Sequence, residues 1–257
     1  MITAEHIYYS VAGHSILEDV NFSTQPGEIV TVVGPNGCGK STLLKILSRL
    51  LKADRGTVCF QGRPLSAYPG KELARRLAIL PQSKQAPPDT TVEQLVQFGR
   101  YPYTGLSGQM KPQDFQVVDD ALEKTGMDRF RERTISSLSG GESQMAWITM
   151  AIAQTPEILF LDEPTTYLDI CYQLEVLELV RRLNRELKLT IVMVLHDINQ
   201  AAAYSDRIFA LKDRRCYHFG PTPDVISGEM FRDVFSVEMK TYSAEEDQVY
   251  MPVRIVR

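Results

Sequence analysis

No stretch of the 257-residue chain reaches the ~18 consecutive apolar residues that a membrane-crossing helix needs. The longest apolar runs, 146–153 and 190–195, are interrupted by Thr149 or bounded by polar residues. The N-terminus has Glu5 and His6 where a signal peptide would carry a basic start and an apolar core. The expectation is a protein that stays inside the cell and reaches any membrane through a partner. Cysteine is sparse: Cys38, Cys59, Cys171 and Cys216 are scattered without a C-x-x-C pair. That argues against a disulfide framework or a zinc site and fits a reducing compartment. The four histidines are equally dispersed, so no structural metal is expected. Positive charge is not in excess either. The net charge is −4, and the pairs Arg75-Arg76, Arg181-Arg182 and Arg214-Arg215 are too short for an electrostatic footprint on nucleic acid.

What is present is an ordinary globular composition, 44% hydrophobic and 23% charged, long enough for one large α/β domain with an insertion. Residues 7–11 and 20–24 read as short strands, with Pro26-Gly27 as a turn, and 28–33 as a buried strand ending at Gly34. From Lys40 to Leu51 apolar residues recur at helical spacing. Around Ala86-Pro87-Pro88 and from 101 to 112 the chain is rich in Pro or Gly, with helical patterns at 92–98 and 114–125. Beyond residue 155 strands (158–161, 190–195, 208–211) alternate with helices (172–187, 198–204). Such alternation implies a mostly parallel sheet covered on both faces. The expected organisation is an α/β core of residues 1–86 and 156–215, a helical insertion at 87–155, and a small α+β extension at 216–257, without internal repeats.

Gly34-Pro35-Asn36-Gly37-Cys38-Gly39-Lys40-Ser41 fits G-x-x-x-x-G-K-[ST]. A nucleoside triphosphate needs many donors converging on one point. Backbone N–H groups of a tight glycine loop supply them without loss of side-chain entropy, and the following helix turns its positive dipole end to the phosphates. Lys40 is placed for the β- and γ-phosphates, the Ser41 hydroxyl for Mg²⁺, and Thr42 for a nearby hydrogen bond. The strand before the pattern and the apolar-periodic helix after it are the context the motif requires. A second apolar strand, 158–161, ends in Asp162-Glu163-Pro164. It would deliver two acids to the carboxyl edge of the sheet, Asp162 to hold Mg²⁺ and Glu163 to orient and deprotonate the attacking water.

Leu138-Ser139-Gly140-Gly141-Glu142, about twenty residues before that strand, resembles the signature sequence of ABC ATPases. Taken by itself, Ser139-Gly140-Gly141 is a glycine-permissive turn opening a helix, a second anion-binding helix start in the same chain. The resemblance spans essentially the whole chain and implies a P-loop NTPase core with an inserted helical subdomain. It also implies a head-to-tail homodimer in which the signature of one copy closes over ATP in the cradle of the other. It further assigns Gln82 to the glutamine loop sensing Mg²⁺, Asp169 to the loop crossing the dimer, His196 to the γ-phosphate and Tyr9 to stacking on adenine, although Tyr8 adjoins it. Glu142 stands where the family usually has Gln, and Met145 where a basic residue is common. A carboxylate suits a helix start but would repel a γ-phosphate.

The strings at 73–77 (Leu-Ala-Arg-Arg-Leu), 99–103 (Gly-Arg-Tyr-Pro-Tyr), 146–148 (Ala-Trp-Ile), 165–170 and 195–200 resemble importers of siderophore iron, haem and cobalamin. The resemblance implies two transmembrane permease subunits, an extracytoplasmic substrate-binding protein, and a place at the cytoplasmic face of the membrane. The same chemistry would serve an exporter. A DNA-repair relative would separate cradle from signature by a long coiled coil. Here roughly a hundred residues intervene without sustained heptads.

Overall fold

The two-residue turn Ala12-Gly13, left-handed at both positions, folds β1 (Ile2–Val11) back onto β2 (His14–Ser23). Next come β3 (Ile29–Val33), buried at all five positions, α1 (Lys40–Leu47), β4 (Arg55–Phe60) and the two-residue β5 (Arg63–Pro64). This computed structural model describes residues 1–104, 108–244 and 247–256. Residues 105–107 of the Gly- and Pro-rich piece, and 245, 246 and 257 of the C-terminal extension, lie outside the described residues. Two units are distinguished, Met1–Leu65 together with Thr190–Arg257, and Ser66–Leu189.

The second unit holds α2 (Gly70–Ala74), β6 (Leu77–Leu80), α3 (Val92–Phe98), α4 (Pro112–Thr125), α5 (Gly140–Ala153), β7 (Ile158–Asp162) and α6 (Ile170–Leu187). The chain then returns to the first unit with β8 (Thr190–Val194), α7 (Ile198–Tyr204), β9 (Arg207–Lys212), β10 (Arg215–Pro221), α8 (Thr222–Val225), α9 (Gly228–Phe235), β11 (Val237–Ala244) and β12 (Asp247–Ile255).

In the first unit, β1, β2, β4 and β5 form an antiparallel sheet in the order β2-β1-β4-β5. A second arrangement runs β10-β9-β3-β8, parallel across β9, β3 and β8 and antiparallel at β10. Strands buried on both faces carry continuous apolar runs, as Ile-Val-Thr-Val-Val and Thr-Ile-Val-Met-Val do here. Phe22 of β2, Phe209 of β9 and Phe219 of β10 meet with ring centroids 5.2–5.4 Å apart and join the two sheets. Burying Phe22 and Phe209 contributes about 2 kcal/mol each. The helix expected to reach Leu51 stops at Leu47: Arg49 turns left-handed and the N–H groups of Leu50 and Leu51 close on Lys45 O. Leu50 is left 57% exposed, so its apolar character exaggerated the periodicity.

In the second unit β6 and β7 are parallel, with Leu80 opposite Leu161, and α3, α4 and α5 pack on one another. Arg100, from one of the importer-like strings, is buried there. It pairs with Asp114 at 3.0 Å, donates to Ala153 O at 2.8 Å, and lies 3.7 Å from the Tyr103 ring centre. Burial works against the Asp114 charge, but the Lys111 backbone N–H and the Arg100 guanidinium hold its carboxyl below the usual range. A buried pair of this kind fixes geometry, and removing one partner is costly. No helix among the described residues is long and apolar enough to cross a membrane.

Candidate nucleotide site

The cradle lies at the carboxyl end of β3. Gly34 has φ 152°, and a Cβ there would stand 2.2 Å from the carbonyl oxygen of Leu211 on β9. Gly39, at φ 108°, is the N-cap of α1, where a Cβ would stand 2.9 Å from Leu17 Cδ2 and 3.0 Å from Ile16 O. Glycine is therefore required at both ends of the loop by backbone angle and by space. No side chain caps α1, and its first turn holds no acid, so its N–H groups face the loop. Asn36 and Gly37 form the exposed tip. Lys40 is buried, and its ammonium donates to Gly34 O at 2.9 Å and Pro35 O at 2.8 Å. Ser41 and Thr42 occupy the first turn of α1, half-buried. Cys38 turns inward, its Sγ 2.9 Å from where a Gly34 Cβ would be; burial above all pushes its thiol up, against the pull of Lys40.

Two more residues of this unit belong beside the loop in the sequence reading. β8 is parallel to β3 with Val194 opposite Val32, so the exposed His196 leaves the sheet at the same edge as Gly34. Asp197 then caps α7, accepting from Gln200 N at 2.9 Å. Tyr9 sits across from Leu17, the residue that abuts Gly39, whereas Tyr8 sits across from Arg55.

In the other unit, β7 delivers Asp162, 4% exposed, and Glu163 to the carboxyl edge it shares with β6. Glu163 has φ 54°, and its Oε2 accepts from Gln82 Nε2 at 2.5 Å and from Thr166 Oγ1 at 3.1 Å. Gln82 and Glu163 are thus brought together, 81 residues apart in sequence. Thr166 stands in the sequence only as part of the 165–170 string, which carries no signal for its reach back to Glu163. Two residues past Gln82, the Lys84 ammonium donates to the buried Gln144 Oε1 on α5, and burial lowers its pKa to about 8.

Ser139 is the N-cap of α5. Its Oγ accepts from Glu142 N at 3.2 Å, and the Glu142 carboxylate returns to Ser139 N at 2.8 Å. The atypical acid of the signature is therefore half of a capping box, its carboxyl held below the usual range chiefly by that Ser139 N–H. Gly140 is open on its outer side, while Gly141 is buried against Tyr172. Asp169 caps α6, accepting from Tyr172 N at 3.0 Å. Tyr172 escaped the sequence reading, although Asp169 three residues before it is an N-cap signal.

Among the described residues no group of three or more His, Cys, Asp or Glu could hold a metal ion. A nucleotide-bound Mg²⁺ needs only one or two protein oxygens beside the phosphates. The Ser41 hydroxyl and the buried Asp162 carboxylate are donors of that hard-oxygen type.

The ABC transporter family profile matches residues 17–166. The chain is 42% identical over 255 residues to the petrobactin import ATP-binding protein FpuC of Bacillus anthracis, covering 99% of this chain and 94% of that one. It is 42% identical over 237 residues to the iron(3+)-hydroxamate import ATP-binding protein FhuC of Bacillus subtilis (strain 168), covering 92% and 88%. Its fold matches a chain of an inward-facing metal-chelate type ABC transporter with a TM-score of 0.86, at 27% identity over 98% of this chain and 97% of that one. The dimeric ADP- and Pi-bound cassette MJ0796 matches with a TM-score of 0.74, at 28% identity over 86% and 99%. The chain belongs to the ABC transporter family, as one of its ATP-binding subunits.

Proposed function

We propose that this chain is the ATP-hydrolysing subunit of an importer of ferric chelates of the siderophore class. The observation that carries the cargo class is the 42% identity, along 99% of the chain, to a petrobactin import ATP-binding protein. In this reading the cradle 34–42 surrounds the phosphates. Lys40 exchanges the carbonyls of Gly34 and Pro35 for β- and γ-phosphate oxygens, and Tyr9 stacks on the adenine. Ser41 of one unit, and Asp162 with Gln82 of the other, are the residues that would hold Mg²⁺, which would supply positive charge to neutralise that developing on the phosphates. Glu163 accepts the proton of the attacking water at its carboxylate, which Gln82 and Thr166 already orient. His196 donates to the γ-phosphate. Ser139, Gly140 and Gly141 close on the nucleotide of a second copy, with Asp169 crossing between copies, and residues 87–155 act as the helical subdomain.

Two copies then serve two transmembrane permeases at the cytoplasmic face of the membrane, and a substrate-binding protein delivers the chelate from outside. Phe98, Tyr101 and Phe115, each at least 46% exposed, offer aromatic surface on the helical portion for the permease. Deletion of the coding sequence should abolish growth on a ferric chelate as sole iron source and spare growth on soluble iron salts. Normal growth of the deletion strain on every hydroxamate and catecholate chelate tested would sink the import reading.

A further inference from the structure

The signature turn and the aspartate loop meet in one side chain. Tyr172 lies in the first turn of α6, where its N–H is held by the Asp169 carboxylate. Its ring lies against Gly141: a Cβ on that glycine would stand 2.1 Å from Cδ1, 2.2 Å from Cγ and 2.7 Å from Cε1. Cγ and Cδ1 are the near end of the ring, so relief requires turning the whole side chain rather than bending a flexible tip. Gly141 is an ordinary helical residue of α5, without a positive φ. It is glycine for room, and the tyrosine takes that room. Gly140 differs, its nearest obstruction being Leu168 Cδ2 at 3.7 Å. On the other side of the turn the Ser139 hydroxyl, while accepting from Glu142 N, directs its proton to Tyr172 Oη at 3.5 Å. One phenol therefore touches both ends of Ser139-Gly140-Gly141.

We propose that Tyr172 is a positioning residue that seats Ser139–Gly141 against the aspartate loop, so that the placement of Asp169 sets the placement of the signature serine. The ring carries the steric part and the hydroxyl a weak orienting part, because a 3.5 Å contact lies at the limit of hydrogen bonding. The proposal rests on the role given to Ser139 above, contact with nucleotide in a second copy.

The test compares Tyr172→Ala, Tyr172→Phe, Gly141→Ala, Ser139→Ala and the double variant Gly141→Ala/Tyr172→Ala in the purified full chain. ATP hydrolysis, binding of a fluorescent ATP analogue and thermal unfolding are measured on each. Tyr172→Ala is expected to lower kcat about tenfold while analogue affinity stays within about twofold, and Tyr172→Phe to restore kcat to within about threefold of the parent. Gly141→Ala alone is expected to lose both Tm and kcat, and the double variant to regain Tm and at least about tenfold in kcat, which independent sites would not do. A parental kcat in Tyr172→Ala, or a double variant whose losses simply add, overturns the proposal. Ser139→Ala separates the two failures. If it too keeps the parental kcat, the role of the signature falls and the proposal with it. If it loses kcat while Tyr172→Ala does not, only the positioning by Tyr172 falls.

Discussion

Glu163 carries a left-handed backbone, φ 54°, at the end of a buried strand, a conformation costing about 1 kcal/mol for a residue with a Cβ. Its carboxylate is nevertheless held on two sides, by Gln82 and Thr166. Strain retained beside an oriented acid is the arrangement expected of a group that must meet a water molecule. We predict that Glu163→Gln, measured by phosphate release, turns over at least ~10²-fold slower while keeping its nucleotide, as loss of a general base requires. Cys38 gives a second prediction. Burial raises its thiol, so the thiolate that reacts with alkylating agents is scarce at neutral pH and becomes abundant only on the alkaline side of the ordinary thiol range. The exposed Cys171 should be alkylated first at pH 7, leaving hydrolysis intact, and inactivation should accelerate as pH rises. Mass mapping that found Cys38 modified fastest at pH 7 would contradict this. At this scale much was legible in the sequence, because phosphate chemistry fixes residue types at short spacings. Thr166 and Tyr172 were not, because their significance lies in which side chains the fold sets beside them.

The start of α5 shows how an element can absorb a departure in sequence. Glu142 is unfavourable beside a phosphate, yet here it closes a capping box with Ser139 and lies 4.0 Å from Arg133. Its folded pKa lies below the ordinary value of 4.5, so its contribution is present above about pH 4.5 and is lost as pH falls through the folded value. Glu142→Ala should lower stability by about 0.5 kcal/mol at pH 7, whereas Glu142→Gln, which can still accept the Ser139 N–H, should keep most of it. In urea unfolding, lowering the pH should bring the parent toward Glu142→Ala, while Glu142→Gln, which does not titrate, keeps its margin over Glu142→Ala. A Glu142→Gln variant that retained the parental acid sensitivity would refute the assignment. Element by element, strands buried on both faces and amphipathic helices were readable from apolar pattern. Helix 92–98 appears with the expected ends, and its Thr91–Gln94 capping box explains why. β4, β5, β6, β10 and β11 were missed. β5 and β6 are two and four residues long, and the other three are half polar, too weak a pattern to register without their partners.

For the molecule as a whole, the two phosphate-binding helix starts proposed for one chain have pairing as their expected consequence. Glu163→Gln with ATP should elute as a dimer in gel filtration and return to monomer when ATP is removed, while the same variant carrying Lys40→Ala should stay monomeric. At free ATP about a hundredfold above Kd, binding should add about 2.7 kcal/mol of stability, read as a rise in Tm. A monomer under all these conditions would exclude nucleotide-driven pairing of the isolated subunit. The topology also orders how the protein comes into being. Residues 66–189 are contiguous, but β3 must wait for both of its neighbours, Ile29 for Ile191 and Val30 for Arg207. On the ribosome, at ~5–20 residues per second, the glycine loop is synthesised many seconds before the strands that flank it exist. A nascent chain therefore carries the phosphate motif well before it can assemble the supporting sheet, so the nucleotide pocket becomes competent only once β8 and β9 have emerged.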